Sequence, residues 1–381
     1  MKLQLSEEQA LIRETVREFA SKEIAPRAAE IDRTREFPLE NYRRCAQLNL
    51  AGMMVDPRHG GAGLDAVSYA IAIEEISRAC ATTGVILSVN NSLYCDPLQR
   101  LGTAEQKERW LTPFARGEKI GCYCLTEPDS GSDASALRTM AVKDGDDWIL
   151  TGSKIFVTNG VQADTALVYA CTDRSLGHRG ISAFLVDRGM PGYSLGKHET
   201  KMGITASGSV EIIFDHVRLG PSHLLGGQGE GFKTALSTLD GGRIGIAAQA
   251  VGIAQSALDH ALSYSKERKA FGHPIADLQA IQFKLADMAL GVEAARLMTY
   301  RAAAAKDRGG RFTREASMAK LLASEVAVNA SREAVQIYGG YGYINEYPVE
   351  RIYRDAKITE IYEGTSEIQR LVIAASILKE S

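Results

Sequence analysis

The sequence lacks the patterns of several common classes of enzyme. Its six cysteines include no CxxC pair, and no histidines lie at the spacing of zinc ligands, so neither a thiol redox site nor a zinc site is expected. No GxSxG, HExxH, P-loop or EF-hand pattern occurs either. The usual support for hydrolase or metal-dependent chemistry is therefore absent, and the cysteines are predicted to be buried, reduced thiols.

The chain also lacks a charge excess and a long apolar run. Its 44 Lys and Arg residues nearly balance its 47 Asp and Glu residues and are scattered, which excludes a nucleic-acid surface. The uncharged runs 79–95 and 244–258 are too short or too polar for a membrane span. The amino terminus predicts an amphipathic helix opened by a Ser6–Gln9 capping box, without the apolar core of a signal peptide. We expect a cytoplasmic protein that acts on a small molecule.

The hydrophobic period changes twice along the 381 residues. It is helical over 1–119, close to two over 120–228, and helical again over 229–381. The sequence thus predicts an α+β multidomain protein with an N-terminal all-α domain, a middle antiparallel β-domain and a C-terminal four-helix bundle. The segment 61–66 matches a dinucleotide fingerprint, but no βαβ units follow it, so we predict an interhelical loop there.

The segment 360–370 predicts a junction between two helices. Helical spacing precedes Gly364, and Ser366 with Gln369 forms a predicted capping box after it. Glu363 then lies at the break, where its carboxylate can point into a cavity as a general base requires. The alternative is that three glutamates spaced three and four apart form the solvated face of one surface helix.

Hydroxyl-bearing residues cluster at predicted strand ends. They occur in the Thr/Ser/Gly-rich loop 126–133 and at Thr158, which is followed by Asn159. Hydroxyls and backbone amides at such places suit an uncharged ring and its phosphates, so a noncovalently bound aromatic cofactor is expected.

Five motifs, in this order, give the chain a family resemblance. They are YCLTEPDSGSD at 123–133, SKIFVTNG at 153–160, ERKAFG at 267–272, QIYGGYGY at 336–343 and IYEGTSEIQRL at 361–371. Over its whole length the chain resembles the acyl-CoA dehydrogenases, flavoenzymes that desaturate acyl-CoA thioesters. The resemblance implies FAD as cofactor, a role in fatty acid β-oxidation, electron-transferring flavoprotein as the partner that accepts the electrons, and a homotetramer.

The resemblance also assigns the chemistry. Glu363 matches the base that removes the acyl α-proton while a hydride leaves the β-carbon for flavin N5. The backbone N–H of Glu363 and a ribityl hydroxyl stabilise the enolate oxygen in the family, and Gly364 lets that backbone turn. Burial is expected to raise the pKa of Glu363 towards the working pH.

By the same resemblance, three groups of residues hold FAD. Those against the ring system are Tyr123, Leu125, Thr126, Phe156, Val157 and Thr158. Those that reach FAD from a neighbouring subunit are Arg268, Phe271, Gln279, Gln336, Gly339 and Gly340. Those at its phosphate and adenosine end are Thr365 and Glu367. Phe156 replaces the tryptophan of most relatives, Ala270 replaces a threonine found in some, and Thr205 stands where arginine is frequent.

The CoA side maps to Ser132, Asp240 and Arg243, although the last two are also spaced for an ordinary intrahelical ion pair. Isovaleryl-type and long-chain members carry their base at the position of Gly242, so Glu363 together with Gly242 indicates the short-chain, medium-chain and short-branched members. The segments 88–94, 120–128 and 242–249 most resemble the short-chain, butyryl-type enzymes. Short-branched and medium-chain dehydrogenases remain alternatives. An acyl-CoA oxidase is less expected because oxidases of this family are usually longer, and a silent FAD-binding scaffold is disfavoured by the intact Glu363.

Overall fold

Short helices form the first part of the chain in the computed structural model, which describes residues 4–379. They are α1 (Glu7–Phe19), α2 (Ala28–Thr34), α3 (Leu39–Gln47), α4 (Ala66–Ala79), α5 (Ala81–Ser88), α6 (Asp96–Leu101), α7 (Ala104–Trp110) and α8 (Thr112–Ala115). The predicted Ser6–Gln9 capping box opens α1. Asp65 caps α4 at the end of the glycine-rich segment, which confirms the interhelical loop.

A sheet follows. Its strands are β1 (Gly121–Cys124), β2 (Met140–Asp144), β3 (Asp147–Val157), β4 (Thr165–Cys171), β5 (Ile181–Asp187), β6 (Tyr193–His198), β7 (Val210–Leu219) and β8 (Leu224–Leu225). The order is β6-β7-β3-β2-β4-β5-β8, with β1 on β4. The β2–β3 hairpin turns at Gly145, whose φ of 63° suits glycine.

The sheet is mixed, whereas the sequence predicts an antiparallel one. Most pairings are antiparallel, but β1 runs parallel to β4, and β2 meets the end of β4 in parallel. All seven residues of β4 are buried, as expected for a strand covered on both faces. Because a whole hairpin separates β1 from β4 in sequence, local turn signals carry no information on their relative direction.

Long helices form the last part. They are α9 (Gly231–Glu267), α10 (Gln279–Asp307), α11 (Thr313–Tyr338), α12 (Pro348–Lys357) and α13 (Ser366–Ile377), with a short hairpin of β9 (Lys269–Ala270) and β10 (His273–Pro274) after α9. Helix α11 packs on α9, α10 and α13, which confirms the predicted helical bundle. Its facing residues are largely alanines, so the helices approach closely.

Two further predictions concern the cysteines and the absence of a membrane span. All six cysteines are free and buried, as predicted. Of the helices in residues 4–379, none combines the length and apolar character needed to cross a lipid bilayer.

Candidate active site

Glu363 lies at a break between helices, as predicted. Helix α12 ends at Lys357, a 3-10 turn covers Ile358–Glu360, and α13 begins at Ser366. Glu363 has a φ of 52° and Gly364 one of 94°. The left-handed conformation is strained for a glutamate and free of strain for glycine, so the surrounding contacts must hold it.

The cap of α13 differs from the predicted one. Thr365 is the N-cap, and its hydroxyl accepts the Ile368 N–H at 3.3 Å. Ser366 is already helical, so the predicted Ser366–Gln369 capping box is wrong by one residue. Instead, the Gln369 side-chain amide donates to the carbonyls of Glu363 and Gly364 at 3.2 and 2.8 Å. These bonds hold the turn that carries Glu363.

The Glu363 carboxylate is directed against helix α9 and an apolar side chain. A Cβ atom placed on Gly242 would lie 2.1 Å from Oε2 of Glu363 and 2.7 Å from Cδ2 of Leu93. Oε2 is shielded from solvent and has no hydrogen-bond partner among the described residues. A buried carboxyl oxygen without a partner is costly to maintain and is a mark of a functional group.

Two buried cations face this carboxylate. The Lys320 ammonium on α11 donates to the Gly364 carbonyl at 2.8 Å. Arg243 on α9 pairs with Asp240 at 2.7 Å, and the same guanidinium nitrogen donates to the Ser317 hydroxyl at 3.3 Å. The intrahelical ion pair that the spacing of Asp240 and Arg243 suggested is therefore present.

Burial dominates the acid–base properties of this cluster. It raises the pKa of Glu363 to about 8, against the opposing effect of Lys320 and Arg243. It lowers the pKa of Lys320 to about 8, against the opposing effect of Glu363. A carboxyl group with a pKa near the working pH is suited to removing a weakly acidic proton, because it is ionised in part and still basic.

A second part of the site is a bulge in strand β3. The pairing of β3 with β7 shifts register between Lys154 and Val157, and Phe156 adopts a φ of 57°. Its ring is 60% exposed, and Thr158 follows it at the strand end. The Ile155 N–H donates to the Thr126 carbonyl at 2.9 Å, so the two hydroxyl-bearing segments predicted from the sequence are neighbours.

A buried ion pair fixes these two segments. The Lys154 ammonium donates to Glu127 at 2.7 Å and to the Leu125 carbonyl at 3.0 Å. Glu127 also accepts the N–H groups of Arg138 and Thr139 at 2.5 and 3.0 Å. Sequence reasoning missed this pair. Its signal is a lysine at an inward position of β3, in phase with buried Trp148 and Leu150.

The residues predicted to contact the FAD of a neighbouring subunit lie around the C-terminal end of α9. Arg268 is 26 residues from Gly242, which at about 1.5 Å per helical residue is roughly 39 Å. Its guanidinium lies 5.7 Å above the Tyr341 ring, beside the turn that contains Gly339 and Gly340. Phe271 is 91% exposed, and Gln279 and Gln336 are exposed as well. One chain thus does not bring this group to Glu363.

The remaining predicted residues lie at the start of α13, on α9, on β1 and in the loop after β1. Thr365 caps α13 and Glu367 is exposed on its first turn. Ser132 lies on the exposed part of the loop after β1. Asp240 additionally accepts the Thr313 hydroxyl at 2.6 Å, which connects α9 to the start of α11. Tyr123 is partly buried, and its hydroxyl donates to the Ala235 carbonyl at 3.4 Å.

Comparisons with known proteins identify the family. Models of the N-terminal, middle and C-terminal domains of acyl-CoA dehydrogenase match residues 6–118, 122–217 and 229–378. The chain is 55% identical over 377 residues to the mitochondrial short-chain specific acyl-CoA dehydrogenase of Bos taurus, covering 99% of this chain and 92% of the relative.

Two solved structures share the fold. Butyryl-CoA dehydrogenase from Megasphaera elsdenii superimposes with a TM-score of 0.97 at 45% identity, covering 99% of this chain and all of that one. A chain from work on the electron transferring flavoprotein of Acidaminococcus fermentans gives 0.98 at 48% identity, with both chains covered completely. The resemblance and the three-part fold inferred from the sequence are thereby confirmed. The chain belongs to the acyl-CoA dehydrogenase family and is an enzyme that acts on a CH–CH bond of an acyl-CoA.

Proposed function

We propose that the protein desaturates short-chain acyl-CoA thioesters to trans-2-enoyl-CoA, with Glu363 as the base that removes the α-proton. The observation that carries this proposal is the buried, unpartnered Oε2 of Glu363, held against Gly242 by a left-handed backbone. A general base must have an oxygen available to the proton that it removes, and no described residue competes for Oε2 with a hydrogen bond. The short-chain relatives named above support the substrate class.

We propose FAD as the cofactor. Its ring would lie against Tyr123, Leu125 and Thr126 of one segment and Phe156, Val157 and Thr158 of the other. These residues fit such a group because an exposed aromatic face and two strand-end hydroxyls occur side by side. When bound, FAD accepts the hydride that leaves the β-carbon.

The protein itself supplies binding, proton removal and charge stabilisation. The Glu363 backbone N–H is proposed to donate to the thioester oxygen, where negative charge develops as the α-proton leaves. Gly364 permits the required backbone, and Lys320 and Gln369 hold it through its carbonyl groups. Ser132, Asp240 and Arg243 are proposed to contact the CoA side, with the Asp240–Arg243 pair fixing the geometry of α9 at that point.

Assembly and electron transfer complete the proposal. Since Arg268, Phe271, Gln279, Gln336, Gly339 and Gly340 lie far from Glu363 within one chain, we propose that they complete the FAD site of a partner in a homotetramer. Thr365 and Glu367 then contact its phosphate and adenosine end. Electrons pass to an electron-transferring flavoprotein, which the structural relative from Acidaminococcus fermentans supports. We place the enzyme in the cytoplasm and its domain boundaries at 119/120 and 228/229.

Glu363→Gln tests the base. The variant should retain FAD and bind butyryl-CoA, yet lose several orders of magnitude in kcat, because the amide cannot accept the α-proton. Reduction of the flavin by butyryl-CoA, followed as bleaching in a stopped-flow instrument, measures this directly. Glu360→Gln is the matched control, since Glu360 lies three residues before Glu363 and its carboxylate pairs with Lys357 at 2.5 Å. Bleaching at a normal rate in Glu363→Gln would refute the proposal.

A panel of straight-chain acyl-CoAs tests the substrate class. The π-helical segment Val89–Cys95 is fully buried, and its Leu93 lies with the Glu363 carboxylate against Gly242. We expect this segment to close the acyl cavity after a few carbons. Each methylene that fits adds roughly 0.8 kcal/mol, and one that forces repacking costs more than this. We expect kcat/KM to be highest at about four or five carbons. An optimum at eight carbons or more contradicts the proposed cavity, and a preference for 2-methylbutyryl-CoA indicates a short-branched enzyme.

A further inference from the structure

Lys320 occupies an unusual place for a lysine. It lies on the face of α11 that packs against α9, and its side chain has no exposed surface. Its ammonium donates to the carbonyl of Gly364, the residue that directly follows Glu363. A buried ammonium group is expensive unless an opposite charge balances it.

No conventional partner balances this charge. Among residues 4–379, no carboxylate forms an ion pair with Lys320, whereas the neighbouring Arg243 is paired with Asp240. The Glu363 carboxyl group also lacks a partner, because its Oε2 is buried and forms no hydrogen bond with a described residue. The Lys320 ammonium and the Glu363 carboxylate therefore both lack an ion-pair partner and lie on either side of the turn at Gly364. Each shifts the pKa of the other towards the charged form.

We propose that Lys320 is a positioning residue for Glu363: its ammonium fixes the Gly364 carbonyl and thereby the turn that aims the carboxylate, and its charge favours the ionised form that acts as base. The inference rests on the proposed function of Glu363. It gives Lys320 two separable effects, one on geometry and one on charge. A neutral donor to the same carbonyl would have only the first effect.

The other groups that face Glu363 do not replace Lys320. From α9, the cation Arg243 also acts on Glu363, and its charge is largely offset by Asp240. Tyr69 from α4, Tyr123 from β1 and Tyr362 next to the base have pKa values raised by burial and stay neutral. Glu360 and Glu367 also raise the pKa of Lys320 but act on it less strongly than Glu363 does, and Glu360 is paired with Lys357.

Gln369 provides a matched control. Its side-chain amide donates to the same Gly364 carbonyl at 2.8 Å and to the Glu363 carbonyl at 3.2 Å, without carrying charge. Replacing Lys320 removes a hydrogen bond and a charge, whereas replacing Gln369 removes hydrogen bonds alone. The pH dependence of the two variants therefore separates geometry from charge.

The experiment measures kcat for butyryl-CoA against pH with a dye acceptor, using FAD-loaded enzyme. Lys320→Met should move the rising limb to higher pH by about one unit or more. Each unit corresponds to about tenfold lower kcat at pH 7, because a smaller fraction of Glu363 is ionised. Lys320→Arg keeps the charge and should keep the midpoint. Gln369→Met should lower kcat with the midpoint unchanged.

An infrared titration gives a readout without turnover. The carboxylic-acid band that disappears in Glu363→Gln belongs to Glu363, and its midpoint should rise in Lys320→Met as the kinetic one does. If Lys320→Met and Gln369→Met lower kcat equally and leave both midpoints in place, Lys320 is merely structural and the inference is overturned. Lys320→Gln provides the neutral variant if Lys320→Met does not fold.

Failure of the proposed function has a different signature. If Glu363→Gln still turns over butyryl-CoA, Glu363 is not the base, whatever the Lys320 variants do. The infrared midpoints then still decide whether Lys320 favours ionised Glu363: an unmoved midpoint in Lys320→Met overturns that effect, and a raised one supports it.

Discussion

The direction of the Glu363 carboxylate depends on the missing side chain at residue 242. Helix α9 passes close enough that a Cβ atom on Gly242 would overlap Oε2 of Glu363. A glycine inside a helix costs roughly 0.5–1 kcal/mol relative to alanine. At Gly242 the glycine leaves room for the Glu363 carboxylate, which occupies the space that a Cβ atom would fill.

Gly242→Ala should therefore impair catalysis although it favours the helix. The added methyl group must displace Glu363, and a misplacement of about 1 Å can cost on the order of 100-fold in rate. We expect kcat to fall by about that factor with FAD content unchanged, measured by turnover and flavin absorbance. Gly241→Ala is the control, because its Cβ would meet only the flexible Lys306 ammonium at 3.3 Å. Equal activity of the two variants would contradict this account.

Sequence reasoning located Glu363 but not the groups that hold it. Its position at a break followed from Gly364 and the flanking patterns. Lys320 was missed although it falls in phase with the buried alanines of α11, Ala316, Ala323 and Ala327. A lysine on such a stripe is a readable signal. What it bonds to depends on a turn 44 residues away, which no periodicity contains.

At the scale of elements, local signals were reliable where local energetics decide. The capping box of α1, the interhelical loop at 61–66 and the helical bundle were predicted correctly because caps and apolar stripes act over a few residues. The cap of α13 was misplaced by one residue, since Thr365 and Ser366 have equivalent hydroxyls. The parallel placement of β1 on β4 was missed because the packing of the whole sheet decides it.

The buried Glu127–Lys154 pair connects β3 to the loop after β1, and we expect it to stabilise the fold there. Lys154→Met leaves Glu127 buried without its counter-charge, which should lower the free energy of unfolding by about 3–5 kcal/mol. Denaturant-induced unfolding measures this value. FAD content should fall as well, because Phe156 lies two residues from Lys154 on the bulge.

Two further variants separate the effect of the buried pair from the loss of a positive charge in general. Arg218→Met removes an exposed cation that bridges Asp144 and Asp147 on neighbouring strands, and such pairs contribute about 0–1 kcal/mol. The double variant Lys154→Met, Glu127→Gln removes both buried charges, leaves an amide oxygen that can still accept from the backbone at Arg138 and Thr139, and should recover part of the lost stability. A double variant less stable than Lys154→Met would show that the pair has a favourable role beyond mutual neutralisation.

At the scale of the whole molecule, one chain leaves a row of large apolar side chains uncovered on α10. Phe283, Leu290 and Leu297 are spaced by seven residues and therefore lie on one face of the helix. Their exposed fractions are 59%, 71% and 40%. An apolar row of this kind is typical of a subunit interface. It supports the proposed homotetramer independently of the separation between Arg268 and Glu363.

Leu290→Lys should therefore break the assembly and release FAD together. The substitution places a charge in the middle of the apolar row, which is costly to bury. In the proposed assembly, a subunit without its partner would lack Arg268 and Gln336 at the cofactor. We expect smaller species by analytical ultracentrifugation and a loss of flavin that grows on dilution. Val142→Lys, at a 56% exposed position on β2, should change neither. Monomers of Leu290→Lys that keep one FAD per chain at high dilution would show that each chain builds its cofactor site alone, and an intact tetramer would place the interface elsewhere.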